Sequence, residues 1–196
     1  MTAARRAGGY GDLLRSWGGE LVASSYDADA DAFMFICVHS TLRGPAGGGI
    51  RMKAYDSAED ALADGMRLSS AMTLKMAICD APLGGGKSVI AVAPSLDGAA
   101  RRRVLDRYAA LLGSLHGTYY GAPDMNTGPA DMDYIYERSP YVFCRTPERG
   151  GSGSTTHASG TARSRFTTTA RTSAGRRAPS ATRSTRSGAR RPCARA

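Results

Sequence analysis

Two lysines lie close together in a chain that otherwise uses arginine for its positive charge. The sequence has only Lys53, Lys75 and Lys87, against 23 arginines. A lysine can lose its proton near neutral pH when burial or a neighbouring cation lowers its pKa, whereas an arginine cannot. Lys75 and Lys87 flank one predicted helix-to-strand connection, so one of them is a candidate general base beside a second cation. Incidental surface lysines are the structural alternative.

Three segments of the sequence are unusually rich in glycine. They are residues 44–49 (G-P-A-G-G-G), residues 83–88 (L-G-G-G-K-S) and residues 150–154 (G-G-S-G-S). Because glycine has no side chain, such a segment can approach a ligand or another backbone closely. A simple turn is the alternative for each segment, and the sequence leaves both interpretations open.

Two nucleotide-binding interpretations of these segments fail on spacing. Residues 83–88 contain Gly-Lys-Ser, but the phosphate-loop pattern requires an earlier glycine where Ala81 stands. That loop also runs from a strand to a helix, whereas here a predicted helix precedes and a predicted strand follows. Residues 150–154 give Gly-x-Gly without the third glycine of the dinucleotide fingerprint. Neither segment therefore predicts a nucleotide site.

Predicted strands and helices alternate along the body of the chain. Strands are expected at 20–26, 33–42, 50–55, 88–93 and 118–121, and helices at 57–75, from residue 97 and from residue 129. Ser57 is the predicted N-cap of the first helix, with Asp60 as a short version of the capping-box acid. Apolar residues recur at helical spacing in the second helix: Val104, Leu105, Tyr108, Leu111, Leu112 and Leu115. The alternation indicates an α/β layered domain.

The net charge of +9 is concentrated in the last quarter of the chain. Residues 150–196 hold ten of the 26 cationic residues and none of the 17 acidic ones, so residues 1–149 have a net charge of −1. From residue 164 the sequence contains only Ala, Arg, Ser, Thr, Gly and Pro, apart from Phe166 and Cys193. Such a composition cannot bury a core, so we expect residues 164–196 to be disordered. A frame slip in a GC-rich gene gives this composition; a genuine basic arm is the alternative.

Cysteine usage and hydropathy indicate the cellular compartment of the protein. The four cysteines show no C-x-x-C pairing, and two of them lie in apolar runs, which is typical of a reduced protein. No apolar run approaches the ~18 residues of a membrane span, and the N-terminus lacks the apolar core of a signal peptide. We therefore expect a cytoplasmic protein with no membrane partner, and no metal site is predicted.

The motifs resemble the amino-acid dehydrogenases that act on glutamate, leucine, valine and phenylalanine. The resemblance covers roughly residues 10–163 and rests on five segments in the family's order: 44–51, 72–77 (M-T-L-K-M-A), 84–90 (G-G-G-K-S-V-I), 121–127 (G-A-P-D-M-N-T) and 149–153. The second and third segments look most like phenylalanine dehydrogenase, with the leucine and valine enzymes close behind. The resemblance implies an α/β fold with a mixed sheet, in the substrate-binding half of such an enzyme, and a homo-oligomer.

The resemblance also implies a role for individual residues. Lys75 would hold the substrate carboxylate, helped by the backbone at Gly48 and Gly49, and Met72 would line the side-chain pocket. Lys87 would be the base that activates water, with its pKa lowered by the nearby charge of Lys75.

The remaining implied roles concern the reaction itself. Asp124 would handle protons at the substrate amino group. The implied reaction is NAD-dependent oxidative deamination of a hydrophobic L-amino acid (phenylalanine, leucine or valine) to a 2-oxo acid and ammonia.

The resemblance ends after Arg163, where no strand, G-x-G-x-x-G or acidic ribose ligand follows. The implied organisation is a substrate-binding and oligomerisation domain at 10–150, the start of an interdomain connection at 151–163 and the tail at 164–196. Without a Rossmann domain, we expect this form to bind no NAD itself and to be inactive. Two rival functions remain: a non-catalytic oligomerising remnant, and an arginine-rich tail that binds nucleic acid through phosphates. The tail lacks interleaved aromatic residues, so nucleic acid is not the expected partner.

Overall fold

The computed structural model describes residues 10–94 and 96–153, which form an α/β domain. Its helices are α1 (Tyr10–Trp17), α2 (Ala58–Ile78), α3 (Gly98–Ser114) and α4 (Pro129–Tyr136), and its strands are β1 (Leu21–Asp27), β2 (Ala32–Ser40), β3 (Ala46–Lys53), β4 (Gly84–Ala91) and β5 (Tyr119–Pro123). A short 3-10 turn follows at Pro147–Arg149. The predicted tail at 164–196, and most of the predicted connection at 151–163, lie outside the described residues.

The five strands form one mixed sheet in the order β1-β2-β4-β3-β5. The β1–β2 and β2–β4 pairs are antiparallel, while β3 lies parallel to both β4 and β5. Helix α2 makes the crossover from β3 to β4, as a parallel pair requires. This arrangement confirms the predicted α/β fold with a mixed sheet.

Each face of the sheet is covered by a different pair of helices. Helices α3 and α4 pack on one face around Tyr108, Leu112 and Met132, which are fully buried. Helices α1 and α2 cover the other face. The apolar stripe predicted for α3 therefore faces the sheet, and exposed Arg102, Arg103 and Arg107 are turned away from that core.

The sequence signals at the starts of the helices are confirmed. Ser57 is the N-cap of α2, and its hydroxyl accepts a 3.1 Å hydrogen bond from the Asp60 backbone N–H. Asp97 caps α3 by accepting from the N–H groups of Ala99 and Ala100. Pro129 begins α4. At its other end α2 continues to Ile78 rather than stopping near Lys75, so Lys75 lies within the helix.

Most of two glycine segments lies in strands, while Gly44 and Pro45 form a bend before β3, as the turn interpretation predicted. β4 begins at Gly84, four residues earlier than predicted, and β3 includes residues 46–49. A Cβ at Gly48 would overlap the carbonyl group of Gly86, and one at Gly84 would overlap the carbonyl oxygen of Ser40. The glycines therefore let neighbouring backbones pack closer than any side chain would allow.

Candidate active site

The residues singled out from the sequence meet in one cavity of about 170 Å³. Three parallel strands and one helix contribute them: Gly48 and Gly49 from β3, Lys87 from β4, Asp124 immediately after β5, and Met72 and Lys75 from the last turns of α2. The structure thus brings together all six predicted site residues. Their individual roles remain predictions.

Strand alternation explains how these side chains come to one side of the sheet. Ser88 and Ile50 face α3 and α4, where Ser88 shares a 2.7 Å hydrogen bond with Tyr108 and Ile50 joins the main core. Successive residues of a strand point to opposite faces, so Lys87 and Gly49 face α2 instead. The absence of a side chain at Gly49 matters here, because a Cβ there would lie 2.7 Å from the Asp124 Cβ and 2.9 Å from the Lys87 amine.

Lys87 and Asp124, which both line the cavity, form an ion pair. The Lys87 Nζ lies 2.7 Å from Asp124 Oδ2, and the Lys87 side chain is only 7% exposed. Burial is the largest influence and lowers the pKa of Lys87, the neighbouring charge of Arg51 lowers it further, and the contact with Asp124 opposes both. The cation that was predicted to lower this pKa was Lys75; the structure puts Arg51 in that role.

Asp124 keeps its negative charge because two cations contact it. Partial burial would raise the pKa of Asp124, but hydrogen bonds and charges from Lys87 and Arg51 outweigh burial and lower it. The carboxylate is 27% exposed, much more than the amine of Lys87. Burial therefore sets the direction of the pKa shift at Lys87, whereas the combined hydrogen bonds and charges of two cations set it at Asp124.

The loop that carries Asp124 is fastened to β3. The Asp124 N–H donates to the Thr127 hydroxyl at 3.0 Å, and that hydroxyl donates to the Ile50 carbonyl at 2.7 Å. The Asn126 side chain donates to the Met52 carbonyl at 2.9 Å. The carboxylate thus has a fixed position relative to β3 and Lys87.

Arg51 is the site residue to which the sequence analysis assigned no role. Its Nε lies 3.1 Å from Asp124 Oδ2, and its Nη1 lies 2.9 Å from Asp64 Oδ2 on α2. Strand alternation was a usable signal, because a residue two positions after Gly49 faces the same side. The sequence contains no pattern that predicts its carboxylate partners Asp64 and Asp124, which are 13 and 73 residues away.

The opposite part of the cavity is largely apolar. Its lining includes Met72, Met76, Leu83, Ala122, Pro123 and Phe143. Lys75 is exposed and lines the same cavity, on α2 three residues after Met72. An apolar wall, an accessible cation and a buried amine paired with a carboxylate suit a small ligand that combines a carboxylate with an apolar side chain.

Other site types find no support within residues 10–94 and 96–153. No cluster of three or more His, Cys, Asp or Glu side chains there could hold a metal ion. None of the helices in those residues is both long and apolar enough to cross a membrane.

A family model described as Glu/Leu/Phe/Val dehydrogenase, dimerisation domain, matches residues 28–141. The chain belongs to this dehydrogenase family. It is 40% identical over 134 residues to the leucine dehydrogenase of Geobacillus stearothermophilus, covering 68% of this chain and 36% of that enzyme. It is 38% identical over 118 residues to the phenylalanine dehydrogenase of Caldalkalibacillus thermarum, covering 60% of this chain and 31% of that enzyme. The chain therefore spans about a third of the length of these relatives.

A solved structure agrees with this assignment. The L-tryptophan dehydrogenase of Nostoc punctiforme superposes with a TM-score of 0.60 at 34% sequence identity, over 67% of this chain and 38% of that one. The names of the relatives place the chain among the amino-acid dehydrogenases, which are oxidoreductases. The identities to the leucine and phenylalanine dehydrogenases are similar, at 40% and 38%.

Proposed function

We propose that this domain binds a hydrophobic L-amino acid and its 2-oxo acid for NAD-dependent oxidative deamination, with phenylalanine, leucine or valine as the amino acid. The observation that carries the proposal is the single cavity in which Lys75, the Lys87–Asp124 pair and an apolar wall meet. The relatives named after leucine, phenylalanine and valine support the choice of side chain.

Substrate binding is assigned to the rim and the wall of the cavity. The exposed ammonium of Lys75 pairs with the substrate carboxylate, and the backbone at Gly48 and Gly49 lies against the same group. Tyr119 fixes this backbone by donating to the Gly48 carbonyl at 2.9 Å. Met72 contacts the apolar side chain of the substrate. A charge-assisted contact of this kind contributes about 1.5–3 kcal/mol.

Proton transfer is assigned to the buried pair. A general base works best when its pKa lies near the working pH, and burial moves the pKa of Lys87 downward in that direction. In its neutral form Lys87 takes a proton from water as the water oxygen attacks the imine carbon. Asp124, which is ionised before substrate binds, accepts a hydrogen bond from the substrate amino group and takes up and returns a proton there.

The described strand-to-helix connections lack the sequence pattern of a dinucleotide site. These connections are residues 54–57, 92–97 and 124–128, and none carries the glycine fingerprint that holds a dinucleotide at a helix N-terminus. NAD use is therefore a proposal for the whole enzyme. For a polypeptide of these 196 residues alone, we propose substrate binding without turnover.

A homo-oligomer is also proposed. The matching family model describes a dimerisation domain. Leu74 and Ile78, one turn apart on α2, are 67% and 85% exposed, and apolar side chains of this kind are suited to a subunit contact.

Calorimetric titration of the purified chain with 4-methyl-2-oxopentanoate tests the proposed function. We expect saturable binding, weaker binding of 2-oxoglutarate, and a roughly 10- to 100-fold rise in Kd for Lys75→Gln, the equivalent of the lost charge-assisted contact. Lys53→Gln is the matched control, since Lys53 does not line the cavity. No binding by the parent chain, or equal binding by Lys75→Gln, would contradict the proposal.

A further inference from the structure

We propose that Arg51 is a positioning residue of this site, which holds Asp124 in place and keeps it ionised while the neighbouring Lys87 gives up its proton. The inference rests on the proposed function, because the proton transfer that it serves belongs to that function. The interaction that it describes is between the side chains of Arg51, Asp124 and Lys87. That interaction can be measured without substrate.

The geometry makes Asp124 a shared partner of two cations. The same carboxylate oxygen, Oδ2, lies 2.7 Å from the Lys87 Nζ and 3.1 Å from the Arg51 Nε. If Lys87 becomes neutral, Asp124 still has a cation in contact and has no need to take up a proton. If Lys87 were the only cation in contact with Asp124, the carboxylate would lose that contact when Lys87 became neutral. The pair would then tend to keep the proton.

Arg51 is itself held rigidly, which is what a positioning residue requires. Its guanidinium spans two carboxylates, Asp124 on one side and Asp64 at 2.9 Å on the other. Asp64 is fixed in turn by the Tyr55 hydroxyl at 2.8 Å and by Arg67 at 2.7 Å. The planar, forked guanidinium contacts the two carboxylates through two separate nitrogens, Nε and Nη1, which the single nitrogen of a lysine cannot reproduce.

The charged groups around Lys87 come from three elements. Asp124 lies in the loop after β5, Arg51 on β3 and Asp64 on α2, while Lys75 of α2 lines the same cavity. Three neutral titratable groups on the packed strands and on α3 are buried: Cys37, Tyr108 and Tyr119.

The sign of the effect follows from these charges. The charge of Arg51 lowers the pKa of Lys87, whereas Asp124 and Asp64 raise it. Removing the Arg51 charge leaves the effects of Asp124 and Asp64 on Lys87 without the cationic charge that opposes them. Lys87 then holds its proton more tightly, and its deprotonation shifts to higher pH.

The experiment uses the full 196-residue chain, labelled with ¹⁵N-lysine. Because the sequence has only three lysines, the Nζ resonance of Lys87 can be assigned with Lys87→Arg and followed against pH. We expect Arg51→Gln to raise its titration midpoint. We expect Arg51→Lys to give a smaller upward shift, because the charge remains but the bridge through two separate nitrogens is lost. Competitive acylation read by mass spectrometry gives the same midpoint if the resonance is broad.

The matched control is Arg67→Gln. Arg67 pairs with Asp64 but does not contact Asp124, and its side chain is 70% exposed, so the Lys87 midpoint should stay close to the parent value. An unchanged midpoint in folded Arg51→Gln overturns the proposal. If that variant fails to fold, an unchanged midpoint in Arg51→Lys does so. Failure of the proposed function would be seen separately, as absent binding of the 2-oxo acid.

Discussion

At the scale of single residues, the site depends on keeping a buried amine that is ready to lose its proton. A buried ion pair offers little net stability, since desolvation offsets most of the attraction, but removal of one partner leaves an uncompensated charge. Lys87 is nearly enclosed, so Asp124 carries this stabilising role as well as its proposed part in catalysis. Substitutions of Asp124 should therefore change the free energy of unfolding even without substrate.

Asp124→Asn should lower the free energy of unfolding by about 3 kcal/mol at pH 7, because it leaves buried Lys87 without its carboxylate. The pKa of Asp124 in the folded protein lies below its ordinary 3.8. The stabilising effect is therefore complete above about pH 3.8 and is lost as pH falls through the lower folded-state value. The difference between the parent and the variant should narrow over that acidic range.

Urea unfolding at several pH values measures this difference. Asp29→Asn, which removes a carboxylate from an exposed turn, should change stability by less than about 0.5 kcal/mol at pH 7. Equal stability of the parent and Asp124→Asn at pH 7 would show that the ion pair is not needed to hold Lys87.

At the scale of helices and strands, the glycines of β3 and β4 set the distance between backbones around the cavity. Strands are usually rich in β-branched and aromatic residues, but residues 46–49 and 84–86 contain none. The strand boundaries were therefore misjudged, although the helices, with clear caps and apolar periodicity, were predicted well. Helix α1 was not predicted.

The same contrast holds for the candidate site. Lys75, Lys87 and Asp124 lie in contiguous motifs that resemble a family, so the sequence alone predicted them as site residues, and the structure places all three around one cavity. The link from Arg51 to Asp124 joins positions 73 residues apart. No local pattern encodes that contact, and only the folded sheet shows it.

Gly48→Ala tests the close packing of the strands. The added methyl group would overlap backbone of β4 rather than a movable side chain, so β3 and β4 must separate. We expect a loss of about 3 kcal/mol in the free energy of unfolding, at the upper end of the usual cost of overpacking.

The matched control is Gly98→Ala at the first residue of α3, where an added Cβ meets open space. Alanine there should stabilise the chain by about 0.5–1 kcal/mol, as expected for a glycine replaced in a helix. If both variants unfold at the parent urea concentration, close backbone packing is not what the β3 glycine provides.

At the scale of the whole molecule, the residues that match the family model lie within the described domain. The basic end of the chain lies outside the match. Residues 28–141 match the model, and the ten arginines of residues 150–196 all lie beyond it. The cavity, the buried ion pair and the wall of the pocket all belong to one face of one sheet. The proposed substrate binding uses only described residues, whereas the proposed hydride transfer would need a nicotinamide that protein holds in position.

The final prediction is that substrate binding and turnover can be separated in this chain. A polypeptide of these 196 residues should bind the 2-oxo acid yet form no NADH from NAD with leucine, phenylalanine or valine, because no described connection carries a dinucleotide fingerprint. Absorbance at the nicotinamide band measures turnover, and calorimetry with NADH measures cofactor binding. The leucine dehydrogenase of Geobacillus stearothermophilus, assayed in parallel, shows that the conditions support the reaction. Steady NADH formation by a sample whose mass matches 20.6 kDa would contradict the prediction and place a cofactor site within this chain.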